Sequence, residues 1–469
     1  MPRDPPPKAR RPQAACPGGS GPAKLAQVKG RGVMNDSQDT APDSRLRRDI
    51  GFTGSAFLSF NGIVGAGIFA LPATLHMQFG AFSPWLFPIF GLLILLVAMP
   101  FARLAALFPQ SGGPVAYTAA FGPLASFQAG WLYYLARVTA LAANANVFAT
   151  YAATLWAPLG FGVGRAATIL ALCASLTAIN IVGVRRAIRA LDGLTVLKGL
   201  PLIALAIWGL AATAGAWPTP GPAPSLSGVE AAALIIFYAF IGFENSVVPA
   251  GETANPGRTI PRALIATIVG TAALYFIVQL AYVSAMPAGE APEAPLVAFA
   301  SLLAGPAGAL VITVAALSSI GGNIAGSLTS TPRITFALAR EGLLPRWFAA
   351  VSELYHTPAN SVLFMGLLGA VLALTGSFLW LAVVSTLARL FVYGTSIAAL
   401  PRSEQIAGRR TTLPTFGLMS AGLIVCLWAA FQSEWASWRM LLILAAIGLA
   451  LYLLAQSSSR RKPGPKKTK

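Results

Sequence analysis

Twelve apolar segments set the limits on what this chain can fold into. They lie at about 52–79, 84–108, 124–156, 165–183, 190–215, 229–250, 261–286, 307–332, 359–376, 378–400, 412–432 and 436–456. A helix of ~20 such residues crosses the ~30 Å hydrocarbon layer of a bilayer. No window between the segments is long enough for a soluble domain. Only 10% of the 469 residues are charged, against about 25% in an ordinary soluble chain. The expected fold is all-α integral membrane with twelve transmembrane helices. Residues 1–48 are expected to form a disordered basic tail, 49–456 the membrane domain and 457–469 a second basic tail.

The net charge of +18 is concentrated in those tails: residues 1–50 carry +5 and residues 456–469 carry +6. A basic balance of this kind orients a membrane protein, and it does not mark a nucleic-acid module. With the N-terminus placed inside, the inner loops hold eleven arginines: Arg185, Arg186, Arg189, Arg258, Arg262, Arg333, Arg340, Arg346, Arg402, Arg409 and Arg410. The outer side holds only Arg165 and Arg439. Twelve spans then bring both termini to the cytoplasmic face of the cell membrane. Three scattered cysteines (Cys16, Cys173, Cys426) offer no metal-ligand spacing and no disulfide framework. The start has no hydrophobic signal segment, and Met34 is an alternative initiation point.

The first span contains Gly62, Gly65 and Gly67 at its midpoint. Each interior glycine weakens a helix by about 1 kcal/mol. The sixth span has its own glycine, Gly242, at mid-depth beside Glu244. Two interrupted spans, five apart, point to two inverted five-helix repeats with a binding site where the helices break. The repeats would cover about 52–215 and 229–401, followed by two further helices at about 412–456.

Charges inside spans are expensive, so each is a candidate for function. Arg137, Lys198 and Arg389 fall within the third, fifth and tenth spans, and Glu244 within the sixth. Arg137 is expected either to bind an anionic group or to pair with Glu244. Arg389 can be satisfied by Tyr393 or a backbone carbonyl. Metal or nucleophile chemistry needs clustered His, Cys or carboxylates. The two histidines, His76 and His356, fall on opposite faces, so an enzyme is not expected, nor a metal or cofactor.

Four stretches carry a family resemblance. "NGIVGAGIFALP" (61–72) resembles the first-span motif of amino acid–polyamine–organocation (APC) permeases. "FYAFIGFEN" with "GETANPGRTIPRA" (237–263) is similar to their sixth span and the loop after it. "PQSGGPVAYTAAFGPLASFQAGW" (109–131) resembles their inner re-entrant loop, and "FALAREGLLPRWFA" (336–349) the end of their eighth span. The resemblance implies a LeuT-type fold, with spans 1–5 and 6–10 as inverted repeats and breaks in helices 1 and 6. It also implies a secondary transporter, with an amino acid as substrate and the lipid bilayer as surroundings. No obligate protein partner is inferred from the sequence, which shows no outer cysteine for a covalent one. A polyamine or organocation cargo remains as the alternative. A helix N-terminus beyond the first break suits a carboxylate.

By that resemblance Ala66 and Gly67 would contact the carboxylate, and Ile63, Tyr238 and Ile241 the amine. Gly242 would form the second break, and Asn323 would face the pocket. Phe240 and Phe243 would serve as gates over it. Lys198 matches a lysine that sodium-independent relatives carry, so Lys198 and Glu244 are the expected coupling pair. Proton symport or substrate exchange is expected instead of a sodium site at Ser318 and Ser319. If Lys198 is a permanent structural cation, the protein is an exchanger or a uniporter.

Overall fold

The computed structural model describes residues 48–108, 112–183, 185–213, 218–287, 289 and 291–460, with the side chains of 185–198 and 458–460 excepted. The expected coupling residue Lys198 therefore lies outside the described side chains. Of the expected tails at 1–48 and 457–469, residues 1–47 and 461–469 lie outside the described residues as well.

Helices make up the fold, with no strand among the described residues. In chain order they are α1 (Phe52–Ile63), α2 (Ala66–Phe79), α3 (Ser83–Leu107), α4 (Pro114–Thr118), α5 (Pro123–Ala153), α6 (Gly162–Val182), α7 (Arg185–Ala212) and α8 (Leu226–Phe240). There follow α9 (Pro256–Ala285), α10 (Pro295–Ser330), α11 (Pro332–Arg340), α12 (Ala359–Thr375), α13 (Phe378–Ala398), α14 (Leu400–Ile406), α15 (Leu413–Phe431) and α16 (Trp435–Arg460). Proline stands in the first turn of α3, α5, α9 and α10, where its missing N–H costs no helical bond. Ser225 and Ser377 cap α8 and α13, their hydroxyls accepting from the N–H groups of Gly228 and Trp380. Gly183 ends α6 in the left-handed conformation.

Among the described residues, eight helical stretches are long and apolar enough to cross a membrane. The first of them, Ala66–Leu107, contains both α2 and α3. The other expected spans fall on α5, which carries Arg137 and two asparagines, on α7 and on the 17-residue α12. The apolar pattern places the start of the eighth span near 307. α10 consists of two helical pieces that meet at a kink, with Ala304 (φ −131°, ψ 15°) and Gly305 (φ +60°, ψ −151°) non-helical, so the second piece starts at Pro306, next to the expected bound. The helical stretch "PLVAFASLL" before the kink is the part that the apolar pattern leaves out.

α5 crosses the centre of the molecule, and 22 of its 31 residues are buried. It packs against α10, α12 and α13, while α3 packs along α9 and α15. The start of α1 is tied to the chain after α8. Ile50 N–H donates to the Glu252 carbonyl (3.0 Å) and Ala254 N–H to the Ile50 carbonyl (2.9 Å). The two interrupted helices are thus joined beyond their breaks as well as at them.

Candidate functional site

The chain between α1 and α2 is extended at Val64 (φ −77°, ψ 90°) and irregular at Gly65. α8 stops at Phe240, Ile241 is extended, and Gly242 has φ +123°, a conformation that glycine alone adopts without strain. The two breaks touch. A Cβ on Gly62 would lie 2.4 Å from the Gly242 carbonyl oxygen, and one on Gly67 3.0 Å from the Ala239 Cα. Ser59 Oγ fixes the same junction from α1, 2.9 Å from the Phe243 carbonyl and 2.8 Å from the Ser246 hydroxyl.

A cavity of about 430 Å³ opens from these breaks. Ile63, Ala66, Gly67, Arg137, Tyr238, Ile241, Gly242 and Asn323 all line it. It runs from Gly65 and Asn323 to a mouth at Ile50, Glu252 and Ile334. On the side away from the mouth the helices are held together. Tyr151 donates to the Phe69 carbonyl (2.7 Å), the hydroxyls of Thr154 and Thr313 meet at 2.9 Å, and the Tyr238 ring packs edge-on against Phe378.

A chain of two asparagines crosses the cavity. Asn144 Oδ1 accepts from the Ala66 N–H (3.3 Å) and the Tyr238 hydroxyl (3.2 Å). Its Nδ2 donates to Asn323 Oδ1 at 2.9 Å. Asn323 Nδ2 in turn donates to the carbonyls of Asn61 (3.0 Å) and Gly62 (3.2 Å). The Ile63 carbonyl accepts from the Gly65 N–H (2.9 Å) and the Tyr275 hydroxyl (3.4 Å). Sequence reasoning misses Asn144, although a polar residue in "ALAANANVF" at the middle of a span is a readable signal.

The charges pair differently from expectation. Glu244 does not meet Arg137. Its Oε1 accepts from Arg389 Nε (3.2 Å), and its Oε2 from the Tyr393 hydroxyl (2.8 Å) and the Gly242 N–H (3.0 Å). Arg389 also donates to the Ala136 carbonyl (3.1 Å) and to Ser385 Oγ. This pair is buried, with Glu244 0% and Arg389 4% exposed, and Arg389 borders the cavity. Of the two partners that the sequence suggests for Arg389, the backbone carbonyl is present, at Ala136, whereas the Tyr393 hydroxyl binds the glutamate and the glutamate binds the arginine. Geometry explains the exchange: the 3₁₀ turn Phe243–Ser246 aims Glu244 back at its own break and toward α13, away from α5.

Arg137 instead uses neutral oxygens. Nε donates to Thr331 Oγ1 (2.6 Å), Nη1 to Asn245 Oδ1 (2.7 Å) and Tyr133 Oη (3.3 Å), and Nη2 to Ser330 Oγ (3.1 Å).

The two expected gates are elsewhere too. Phe240 packs against Phe87 and Tyr275, and Phe243 against Phe101 and Tyr393. Neither is exposed, and neither lines the cavity. Residues on opposite sides of the extended Ile241 turn away from the break, and Tyr238, in the last turn of α8, presents its ring to the cavity instead. Ser319 Oγ is buried without a hydrogen-bond partner among the described residues.

Comparison with known sequences fits this geometry. A model of the amino acid permease family matches residues 50–458. The chain belongs to the amino acid permease family, within the APC superfamily. This permease is 27% identical over 434 residues to the methylthioribose transporter of Bacillus subtilis (strain 168), covering 87% of this chain and 93% of the relative. It is 25% identical over 447 residues to the branched-chain amino acid permease BcaP of the same organism, covering 88% and 94%. It is 29% identical over 388 residues to the mouse (Mus musculus) large neutral amino acids transporter small subunit 2, covering 77% and 72%. The permease is accordingly a multi-pass membrane transporter for small molecules, and its relatives are named as transporters and not as enzymes.

Proposed function

We propose that this permease carries amino acids across the cytoplasmic membrane by alternating access, without sodium, as a proton symporter or an exchanger. The observation that carries the reading is the meeting of both helix breaks in one cavity. α2 begins there at Ala66–Gly67 with its positive end and orphan N–H groups, which suit a carboxylate. α8 ends there at Phe240, and carbonyls near a helix end suit an ammonium group. Non-helical backbone at membrane depth is tolerable where it lines such a cavity.

The proposed architecture is twelve spans, with α1–α2 and α8 plus its following turns as the broken first and sixth. Helix packing supports inverted repeats, since neighbours recur with the halves exchanged: α5 lies against α13, and α10 against α7. With both termini cytoplasmic, the mouth at Ile50, Glu252 and Ile334 faces inward, and the layer of Tyr151, Thr154 and Phe378 is the closed outer side. Sodium independence is supported at Asn61 and Gly62, whose carbonyls receive an amide donor from Asn323.

The test is uptake of a radiolabelled amino acid panel, with methylthioribose added, into proteoliposomes under proton or sodium gradients and with preloaded cold substrate. Amino acid uptake indifferent to sodium is expected. For proton symport, Lys198→Ala abolishes accumulation against a gradient and spares exchange. Sodium-driven uptake, or uptake of no amino acid, overturns the proposal.

A further inference from the structure

The middle of the cavity already contains an acceptor where a zwitterion's carboxylate belongs. Only one orientation of the two amides satisfies every neighbour. Asn323 faces two carbonyls, so it must present its NH₂ to them. Its oxygen is then left for Asn144 Nδ2. Asn144 in turn presents its own oxygen to the Ala66 N–H and the Tyr238 hydroxyl. A carboxamide oxygen thus sits at the start of α2, and an amide NH₂ sits on the carbonyls of the unwound stretch.

We propose that Asn144, held in orientation by Asn323, is a built-in stand-in for the substrate's carboxylate, which lets the empty carrier change sides. The inference rests on reading the cavity as a zwitterion site. Net transport requires the unloaded protein to pass through a closed state from which water is excluded. In that state the backbone groups freed by the breaks need partners, because unmet buried polar groups are costly. The amide pair meets them from within. An arriving substrate displaces Asn144 there: the carboxylate replaces Asn144 Oδ1 at the Ala66 N–H, while Asn323 Nδ2 stays on the carbonyls of Asn61 and Gly62. Charge-assisted bonds are stronger than the neutral ones they replace, so loading proceeds. Asn144, 3% exposed on the central helix, is therefore a positioning residue that sets the ratio of net flux to exchange.

The experiment compares two fluxes of radiolabelled L-leucine in proteoliposomes: net uptake into empty vesicles, and exchange against internal L-leucine. Asn144→Leu removes the stand-in while keeping a branched side chain of four heavy atoms. Its net uptake is expected to fall about tenfold or more, the scale of one unmet buried hydrogen bond, with exchange within about twofold of wild type. Asn144→Asp keeps an acceptor at Ala66 and makes it charged, so it competes with the substrate; a raised KM for L-leucine is expected. A parallel fall of net uptake and exchange in Asn144→Leu, or no change in either, overturns the proposal.

A second readout needs no substrate. Phe378→Cys, in a background of Cys16→Ser, Cys173→Ala and Cys426→Ala, reports opening of the outer layer to an impermeant maleimide. Substrate-free vesicles are expected to label, and adding Asn144→Leu is expected to slow labelling about tenfold or more. Unchanged labelling overturns the stand-in. Absence of any amino acid flux in the wild type overturns the transport reading separately, and the labelling still decides the role of Asn144.

Discussion

Gly242 and Gly62 meet backbone to backbone, so closely that a Cβ on Gly242 would lie 2.2 Å from the Gly62 carbonyl carbon. The glycines at the two breaks therefore do two jobs. They allow the chain to leave the helix, and they let the first and sixth spans touch. Gly242→Ala adds this clash to the strain of φ +123°, which costs about 1–3 kcal/mol by itself. Transport is expected to fall by at least about tenfold while the protein still reaches the membrane. Gly270→Ala on α9, where a Cβ meets nothing within 4 Å, is the control and is expected to leave uptake unchanged. Uptake normalised to membrane-inserted protein checks both.

Glu244 and Arg389 brace the second break. Removing one partner of a buried ion pair strands the other charge, at a cost of about 3–5 kcal/mol. Glu244→Gln is expected to lower the stability of the detergent-solubilised protein by that amount. Arg389→Gln should do the same, and the double variant should lose less than the sum of the two. If Glu244 instead loads the coupling proton, Glu244→Gln keeps its stability and its exchange and loses only gradient-driven accumulation. A double-mutant cycle on thermal unfolding, run beside the flux assays, separates these outcomes.

The breaks are legible in the sequence because they depend on local chemistry: three glycines within six positions of an apolar run weaken any helix built there. Eight residues expected around them line one cavity. The ion pairing is not legible. Glu244 and Arg389 are 145 positions apart, and the direction of each side chain depends on a 3₁₀ turn that the apolar pattern does not reveal. The expected gates miss the cavity lining for a similar reason. Phe240 and Phe243 flank an extended residue, and the helical phase that would aim them ends there. Asn144 carries a readable signal of its own, since an amide at the centre of a span needs partners.

Phe240 and Phe243 are core residues, packed against Phe87, Tyr275, Phe101 and Tyr393. Phe240→Leu and Phe243→Leu are each expected to cost about 1 kcal/mol or slightly more of stability and to leave the KM of the folded protein within about twofold. Tyr238→Ala is different. It removes a cavity wall, the bond to Asn144 and the edge-on contact with Phe378. A raised KM is expected. Uptake kinetics on the three variants tests the reassignment of the gate from the phenylalanines to Tyr238.

Arg137 lines the cavity, is 6% exposed, and has no carboxylate within ion-pair distance among the described residues. Its guanidinium nevertheless has four oxygen partners, on α5, α10, Thr331 and the second break. That geometry ties Asn245 to the end of α10 and leaves little of the guanidinium for a ligand. Lysine offers a single ammonium in place of the planar fork and cannot hold the same four partners. Arg137→Lys is therefore expected to slow transport about tenfold, on the scale of one or two lost charged hydrogen bonds. The loss should be equal for L-leucine and L-glutamate, with KM little changed. If Arg137 instead grips an anionic group on the cargo, L-glutamate alone loses affinity. Parallel uptake kinetics of the two amino acids on wild type and Arg137→Lys distinguishes a brace from a recognition residue.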